Sequence, residues 1–188
     1  EKLNWMYEYP EDSKRTLHLP NKDETCRAIL ENILKALDPS IVCVSISKEV
    51  KRAYVIRLRD RDVVLQDGER FTTSVLSSGT KAGVEVARII SSLMQGHVRF
   101  CYCDEKFSYI HSDLEKATLS LMIDLLRPNG QLFFTSHNAD ILDMSLPKHS
   151  FTFLRKDLSN SDCPIESIDA SSLLKRNTDS LKNAVEND

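Results

Sequence analysis

The sequence predicts an α/β chain with parallel core strands, flanking helices and an antiparallel β meander ahead of them. Three observations predict it. Phe100-Cys101-Tyr102-Cys103 and Gln131 to Thr135 are short apolar runs bounded by polar residues, the pattern of strands in a buried parallel sheet. Between them, Ser112 to Arg127 has helical spacing, which makes a strand–helix–strand unit with a right-handed crossover. From 41 to 66, apolar and polar residues alternate with a period of two in short runs separated by turn residues.

Residues 1 to 20 are polar and carry Pro10 and Pro20. Trp5, Tyr7 and Tyr9 alternate there, as an edge strand would, but an arm packed on the surface is the simpler expectation. Asn21-Lys22-Asp23-Glu24 reads as a helix start with Asn or Asp as cap. Cys26, Ile29, Leu30, Ile33, Leu34 and Leu37 follow at helical spacing, and Asp38-Pro39 ends the helix.

In the meander, Val42, Val44 and Ile46 share one face of the first strand, and Tyr54, Ile56 and Leu58 share one face of the second. Asp60-Arg61-Asp62 is read as a turn, Val63 to Gln66 as a short strand and Asp67-Gly68 as another turn. Lys51, Arg52, Arg57, Arg59 and Arg61 give it a basic side. That side is either a solvated face balanced by Asp60, Asp62 and Asp67 or a contact for a nucleic-acid backbone.

Phe71 to Val75 leads into Leu76-Ser77-Ser78-Gly79-Thr80-Lys81 and a helix from about Lys81 to Gln95. Glu85, Arg88, Ser92 and Gln95 form its one polar stripe, so most of its girth is expected inside. After the second acid of Asp104-Glu105, Ser112 and Glu115 have capping-box spacing, and Leu114, Ala117, Leu121 and Leu125 form the stripe expected to be buried. Pro128-Asn129-Gly130 turns the chain into the second core strand. Asn138 to Met144 reads as a short helix and Phe151 to Leu154 as a third strand. Beyond Lys156 the apolar pattern thins through a loop at 159 to 164 to a weak helix over 171 to 188.

The 188 residues suffice for a core of ordinary size, with 41% hydrophobic and 28% charged residues. A formal charge of -3 gives no global footprint for nucleic acid. No apolar stretch approaches the roughly 18 residues that span a bilayer, so no membrane contact is expected. Five cysteines, an odd number, are read as reduced thiols in a cytoplasmic protein, with Cys101 and Cys103 packed in the core.

The chemistry concentrates at strand ends. Asp104 and Glu105 close the first core strand, and His137 closes the second. Ligands of open α/β sheets bind at that carboxyl edge. Two adjacent carboxylates there need a cation, a hydrogen bond or a reaction to offset their desolvation. The Ser77-Ser78-Gly79 loop lies at a helix amino end, whose N–H groups and dipole favour an anion. Each feature also has a plain structural reading: a serine cap, a solvated acidic loop, a hydrogen-bonded histidine.

In this order and spacing, Leu76-Ser77-Ser78-Gly79-Thr80, Phe100 to Glu105 and Leu132 to His137 resemble the signature loop, Walker B strand and switch histidine of the ABC-type ATPases. The resemblance covers about residues 71 to 155 and is nearest to the soluble branch of SMC, RecF, OLD-like and phage-defence ATP-binding proteins. Members of that branch read L-S-S-G-T where transporters read L-S-G-G-Q. It implies a partial P-loop NTPase fold over 1–155, with 156–188 an extension or linker.

The resemblance further implies ATP and Mg²⁺ as cofactors. Asp104 would hold the metal through its water shell, Glu105 would deprotonate the attacking water, and His137 would sense the γ-phosphate. Ser77, Ser78, Gly79 and Thr80 would bind nucleotide held by a partner subunit, in a homodimer or a paired ATPase. Asp113, in the D-loop match His111-Ser112-Asp113, would lie at that interface. The output would be control of an attached effector, with nucleic acid contacted through it, in DNA repair or anti-phage defence. Lys106-Phe107 departs from the family, which has small or apolar residues after the acids.

The phosphate-cradling G-x-x-x-x-G-K-[ST] occurs nowhere; Gly79 and Gly83 have glycine spacing, but no Lys-Ser/Thr pair follows. The chain opens at Glu1, not Met. The expectation is therefore the carboxyl-terminal part of a longer ATPase whose P-loop lies upstream, with this chain inactive alone. Two rival classes stand beside it: a dimerisation or regulatory module that never hydrolyses ATP, and a metal-dependent nuclease using Asp104, Glu105, His137 and Asp140.

Overall fold

Asp23 opens the first helix. Its carboxylate accepts from the Cys26 N–H at 2.8 Å, and helix α1 runs Glu24–Leu37. Asp38 is already extended, as the following Pro39 requires. The computed structural model describes residues 4–8, 18–68, 77–96, 98–107, 110–156, 164–173 and 181–182. Tyr9, the 71–75 lead-in, Leu76, the 159–163 loop and most of the weak carboxyl-terminal helix lie outside the described residues. The chain divides into two compact units, Glu1–His137 and Asn138–Asp188, whereas the resemblance implied a boundary after 155.

In the first unit, β2 (Ile41–Ile46), β3 (Ala53–Leu58) and β4 (Asp62–Gln66) form the expected antiparallel meander. One detail differs. The β2–β3 register shifts between Ile41 and Cys43, so Ile41 and Val44 face inward and Val42 is exposed. Leu30 and Leu34 of α1 pack with Val44, Tyr54, Ile56, Val63 and Leu65 of the meander and with Val84 and Ala87 of helix α2 (Ser78–Met94). The Tyr54 hydroxyl donates to the Asn21 carbonyl at 2.6 Å, and burial pushes its pKa upward. On the basic side, Arg57 meets Asp62 through two 3.1 Å bonds and Arg52 pairs with Asp67, so acidic neighbours balance both.

Glu31 fastens α1 to the meander. It takes hydrogen bonds from Lys35 at 2.5 Å, Arg27 at 2.6 Å and the Val44 N–H at 3.1 Å. The Lys35 bond, then the Val44 N–H and the two cations, hold its carboxyl below the usual range against desolvation. Glu31→Ala is expected to cost about 1–2 kcal/mol in urea unfolding at neutral pH, since it strands the Val44 N–H. A carboxyl depressed on folding contributes stability that is complete above its unfolded pKa and lost as pH falls through its folded one. The difference between variant and parent should therefore shrink below about pH 4.

The core sheet is parallel, in the order β1 (Asn4–Glu8), β5 (Val98–Asp104), β6 (Gln131–Thr135). The expectation of a surface arm at the amino terminus is thus corrected. Met6 pairs with Cys101 and is buried, so this short segment supplies core as well as hydrogen bonds. Residues of α2 and of α3 (Ser112–Leu125) cover one face: Val86, Ile89, Ile90, Leu93 and Met122 pack on Met6, Val98, Cys101 and Cys103. Both cysteines are fully buried, which is the packing reading. The other face carries Trp5, Tyr7, Phe100, Tyr102 and Phe133, with ring centroids 4.8 Å apart for Trp5–Phe100 and 5.3 Å for Phe100–Phe133. Trp5 is 56% and Phe133 50% exposed.

Both helices differ from the expected pattern. Helix α2 begins at Ser78 with Ser77 as cap, three residues before the expected start. In α3 the cap is His111, whose ring accepts from the Asp113 N–H at 3.4 Å, in place of Ser112. Its buried face is Glu115, Thr118, Leu119 and Met122, while Ala117 and Leu121 of the expected stripe are exposed. The inward turn is possible because the Ser136 hydroxyl meets the Glu115 carboxylate at 2.7 Å.

In the second unit, Asn138 caps a 3₁₀ turn at Ala139–Asp143, shorter and tighter than the α-helix expected there. The third strand expected at Phe151 to Leu154 is present as β7 (Thr152–Lys156), but it pairs antiparallel with β8 (Ile165–Asp169) in a ribbon of its own rather than with the parallel sheet. Helix α4 (Ala170–Leu173) follows. Among the described residues, no helix is long and apolar enough to cross a membrane.

Candidate functional site

Strands β5 and β6 run parallel in register, so Asp104 lies opposite Thr135 and the two strands end at the same edge. The chemistry-bearing residues beyond those ends therefore meet. The Thr135 hydroxyl donates to Asp104 Oδ1 at 2.6 Å and accepts from the Glu105 N–H at 2.9 Å. The same N–H also reaches the Thr135 carbonyl at 3.2 Å. Glu105 turns out of the strand at φ 47°, in the left-handed region. For a residue with a Cβ that conformation costs about 1 kcal/mol. Its carboxylate is 2.7 Å from His137 Nε2, on a ring that is 80% exposed.

Asp104 and Glu105 are thus tied together by Thr135, to which the sequence reading gave no role, and His137 joins them through the Glu105 carboxylate. Ser136, Glu115 and Lys106 were likewise missed as supports. The one local signal for Thr135 and Ser136 is that they sit between an apolar run and a histidine, where the strand has ended and polar side chains turn back to the sheet edge.

The second group lies at the amino end of α2. Ser77 is the cap: its Oγ accepts from the Thr80 N–H at 3.0 Å and shares a 2.7 Å hydrogen bond with the Thr80 hydroxyl. Thr80 is 2% exposed, and its hydroxyl also reaches Asp38 Oδ2 at 3.4 Å, so it faces the end of α1. Ser78 is exposed. At Gly79 an added Cβ would meet nothing nearer than Ser77 Oγ at 3.9 Å, so the fold itself does not require glycine there. The first turn of α2 carries no acidic residue to neutralise the positive helix end. An open groove of about 570 Å³ in front of Gly79 is lined also by Leu37, His111, Asp113 and Leu114. Asp113 is exposed and pairs with Lys116 at 3.2 Å.

Among the described residues, no group of three or more His, Cys, Asp or Glu side chains is arranged to hold a metal ion. Asp140, the fourth member of the nuclease set, pairs with Lys182 at 2.7 Å. A magnesium ion that keeps most of its waters needs only one or two protein carboxylates. Asp104 fits that demand, because among the described residues Thr135 fixes its orientation through Oδ1.

Fold and corner together define a mixed α/β protein, with a three-stranded parallel sheet, antiparallel sheets and a candidate site at the carboxyl ends of the parallel strands. Compared with the models of known families, with characterised proteins and with solved structures, the chain matches none.

Proposed function

We propose that this chain is the carboxyl-terminal lobe of an ABC-type ATPase and contributes to ATP hydrolysis at a dimer interface. The observation that carries the reading is the corner itself, where an aspartate, a glutamate and a histidine from two adjacent parallel strands converge on one sheet edge. Asp104 would hold a hydrated Mg²⁺. The metal would supply charge neutralisation on the phosphates. Glu105 would orient the attacking water and take its proton, a role for a carboxylate that is partly exposed beside a bound substrate. His137 would donate to the γ-phosphate from its exposed ring.

The α2 amino end would serve the nucleotide of a paired subunit. Ser77 and Thr80 shape that turn from within, Ser78 and the Gly79 backbone face the phosphates, and Asp113 borders the same groove. A glycine the fold does not need supports close approach by an outside group. The P-loop would come from a segment upstream of Glu1 or from a partner. The half-exposed rings of Trp5, Tyr7 and Phe133 on one face of the parallel sheet, as described, are consistent with this, because parallel sheets are ordinarily covered on both sides. Turnover would open and close the dimer and so control an attached effector in the cytoplasm, in DNA repair or anti-phage defence as the resemblance suggests.

Equilibrium binding of labelled ATP with Mg²⁺ tests the split site. The chain alone is expected to bind weakly or undetectably, and a P-loop segment from upstream of Glu1 should restore binding. Micromolar binding by the 188 residues alone would overturn it.

A further inference from the structure

We infer that Thr135 and Lys106 are positioning residues that clamp Glu105 from both sides; the inference rests on the reading that Glu105 handles the attacking water. Glu105 holds a left-handed backbone that a non-glycine residue adopts only where its surroundings enforce it. On one side, the Thr135 hydroxyl binds both the Asp104 carboxylate and the Glu105 N–H. On the other side, Lys106 runs inward. Its side chain is 4% exposed, and its Nζ lies 3.6 Å from Glu85 Oε2, which Arg88 also meets at 3.2 Å. Phe107 follows it into the core and stacks on Phe134 at 5.4 Å. With Asp104 tied to β6 and with Lys106 and Phe107 sunk beneath α2 and the sheet, the Glu105 carboxylate is turned outward to His137.

A buried ion pair is a poor way to gain stability, because desolvation of both partners offsets their attraction. Its placement one residue after Glu105 is accounted for by what it fixes. Helix α2 thereby carries the Glu85 anchor of the corner along the same rod whose amino end faces the groove.

The test uses Thr135→Val, which keeps the shape and removes the hydroxyl, Thr135→Ser as the rescue, and Lys106→Met as the second variant. Amide hydrogen exchange on the full chain is read first. In Thr135→Val the Glu105 amide should exchange about tenfold faster, while Cys101 and Met122 in the core keep their rates and Thr135→Ser restores protection. Unchanged Glu105 exchange in a folded Thr135→Val protein overturns the inference. With a P-loop segment added, kcat for ATP should fall about 10- to 100-fold in Thr135→Val and in Lys106→Met while KM stays put. Faster exchange with unchanged kcat also overturns it. If the parent chain shows no hydrolysis with the P-loop segment, the ATPase reading fails, and exchange at Glu105 alone decides whether Thr135 holds the corner.

Discussion

Glu105→Gln is expected to abolish most ATP turnover in the assembled site, lowering kcat by about 10²–10⁴-fold, the usual worth of a positioned general base. The loss should be chemical rather than structural. The bonds that hold the corner run from Thr135 to the Asp104 carboxylate and to the Glu105 backbone, and glutamine keeps both. Its amide oxygen can still accept from His137 Nε2, where the carboxylate now sits at 2.7 Å. What glutamine cannot do is take a proton from water. ATP binding should therefore persist, and the ATP-bound dimer should outlast that of the parent. Turnover and the lifetime of the dimer, followed by light scattering after ATP and Mg²⁺ are mixed in, check this together. A variant that hydrolyses ATP at the parent rate removes Glu105 from the mechanism. A parent that dimerises with ATP but never hydrolyses it makes the chain a regulatory module.

The parts of this architecture legible in the sequence are those set by neighbours along the chain. The Asp23 cap and the Asp38-Pro39 stop bracket α1 as read, because capping and the residue before proline act within one turn. The meander followed from period-two runs and turn residues. Parallel pairing is different. Strand β1 meets β5 across more than ninety residues, with no turn to announce it, and its flanks are polar. The inward roll of α3 was hidden for a related reason. Glu115 counts as a surface residue until Ser136, from another strand, supplies its partner. Val42 parts from the face it shares with Val44 in a strict alternation because a register shift in β2 leaves no mark in composition.

The same division runs through the site. Asp104, Glu105 and His137 stand out in the sequence because charged groups end apolar runs, and the structure brings Glu105 and His137 together. Thr135 and Lys106 do not stand out. A threonine at a strand end is ordinary, and a lysine after two acids reads as solvated. Their roles come from partners thirty-one and twenty-one residues away, Asp104 and Glu85.

The largest stability loss is expected at the crossing of α1 and α2. An added Cβ at Gly83 would lie 2.6 Å from Leu37 Cδ1 and 2.9 Å from Leu34 Cδ2, and Leu34 is fully buried. Glycine inside a helix costs roughly 0.5–1 kcal/mol relative to alanine, so this position accepts a local penalty in exchange for close helix packing. Gly83→Val adds two further methyl groups where none fits. It should lower unfolding free energy by about 3 kcal/mol, through overpacking that pushes α1 away from α2. Urea denaturation followed by circular dichroism measures it, with Gly79→Ala as the contrast. At Gly79 the space is open, and alanine should leave stability unchanged or raise it by roughly 0.5–1 kcal/mol. The amino turn of α2 is one turn upstream of Gly83, and Thr80 in that turn contacts Asp38 at the end of α1. Displacing α1 therefore also loosens the turn that presents Ser78 and Gly79. If Gly83→Val unfolds at the parent's urea midpoint, the two helices do not pack as closely as this structure has them, and the orientation of that turn would need another support.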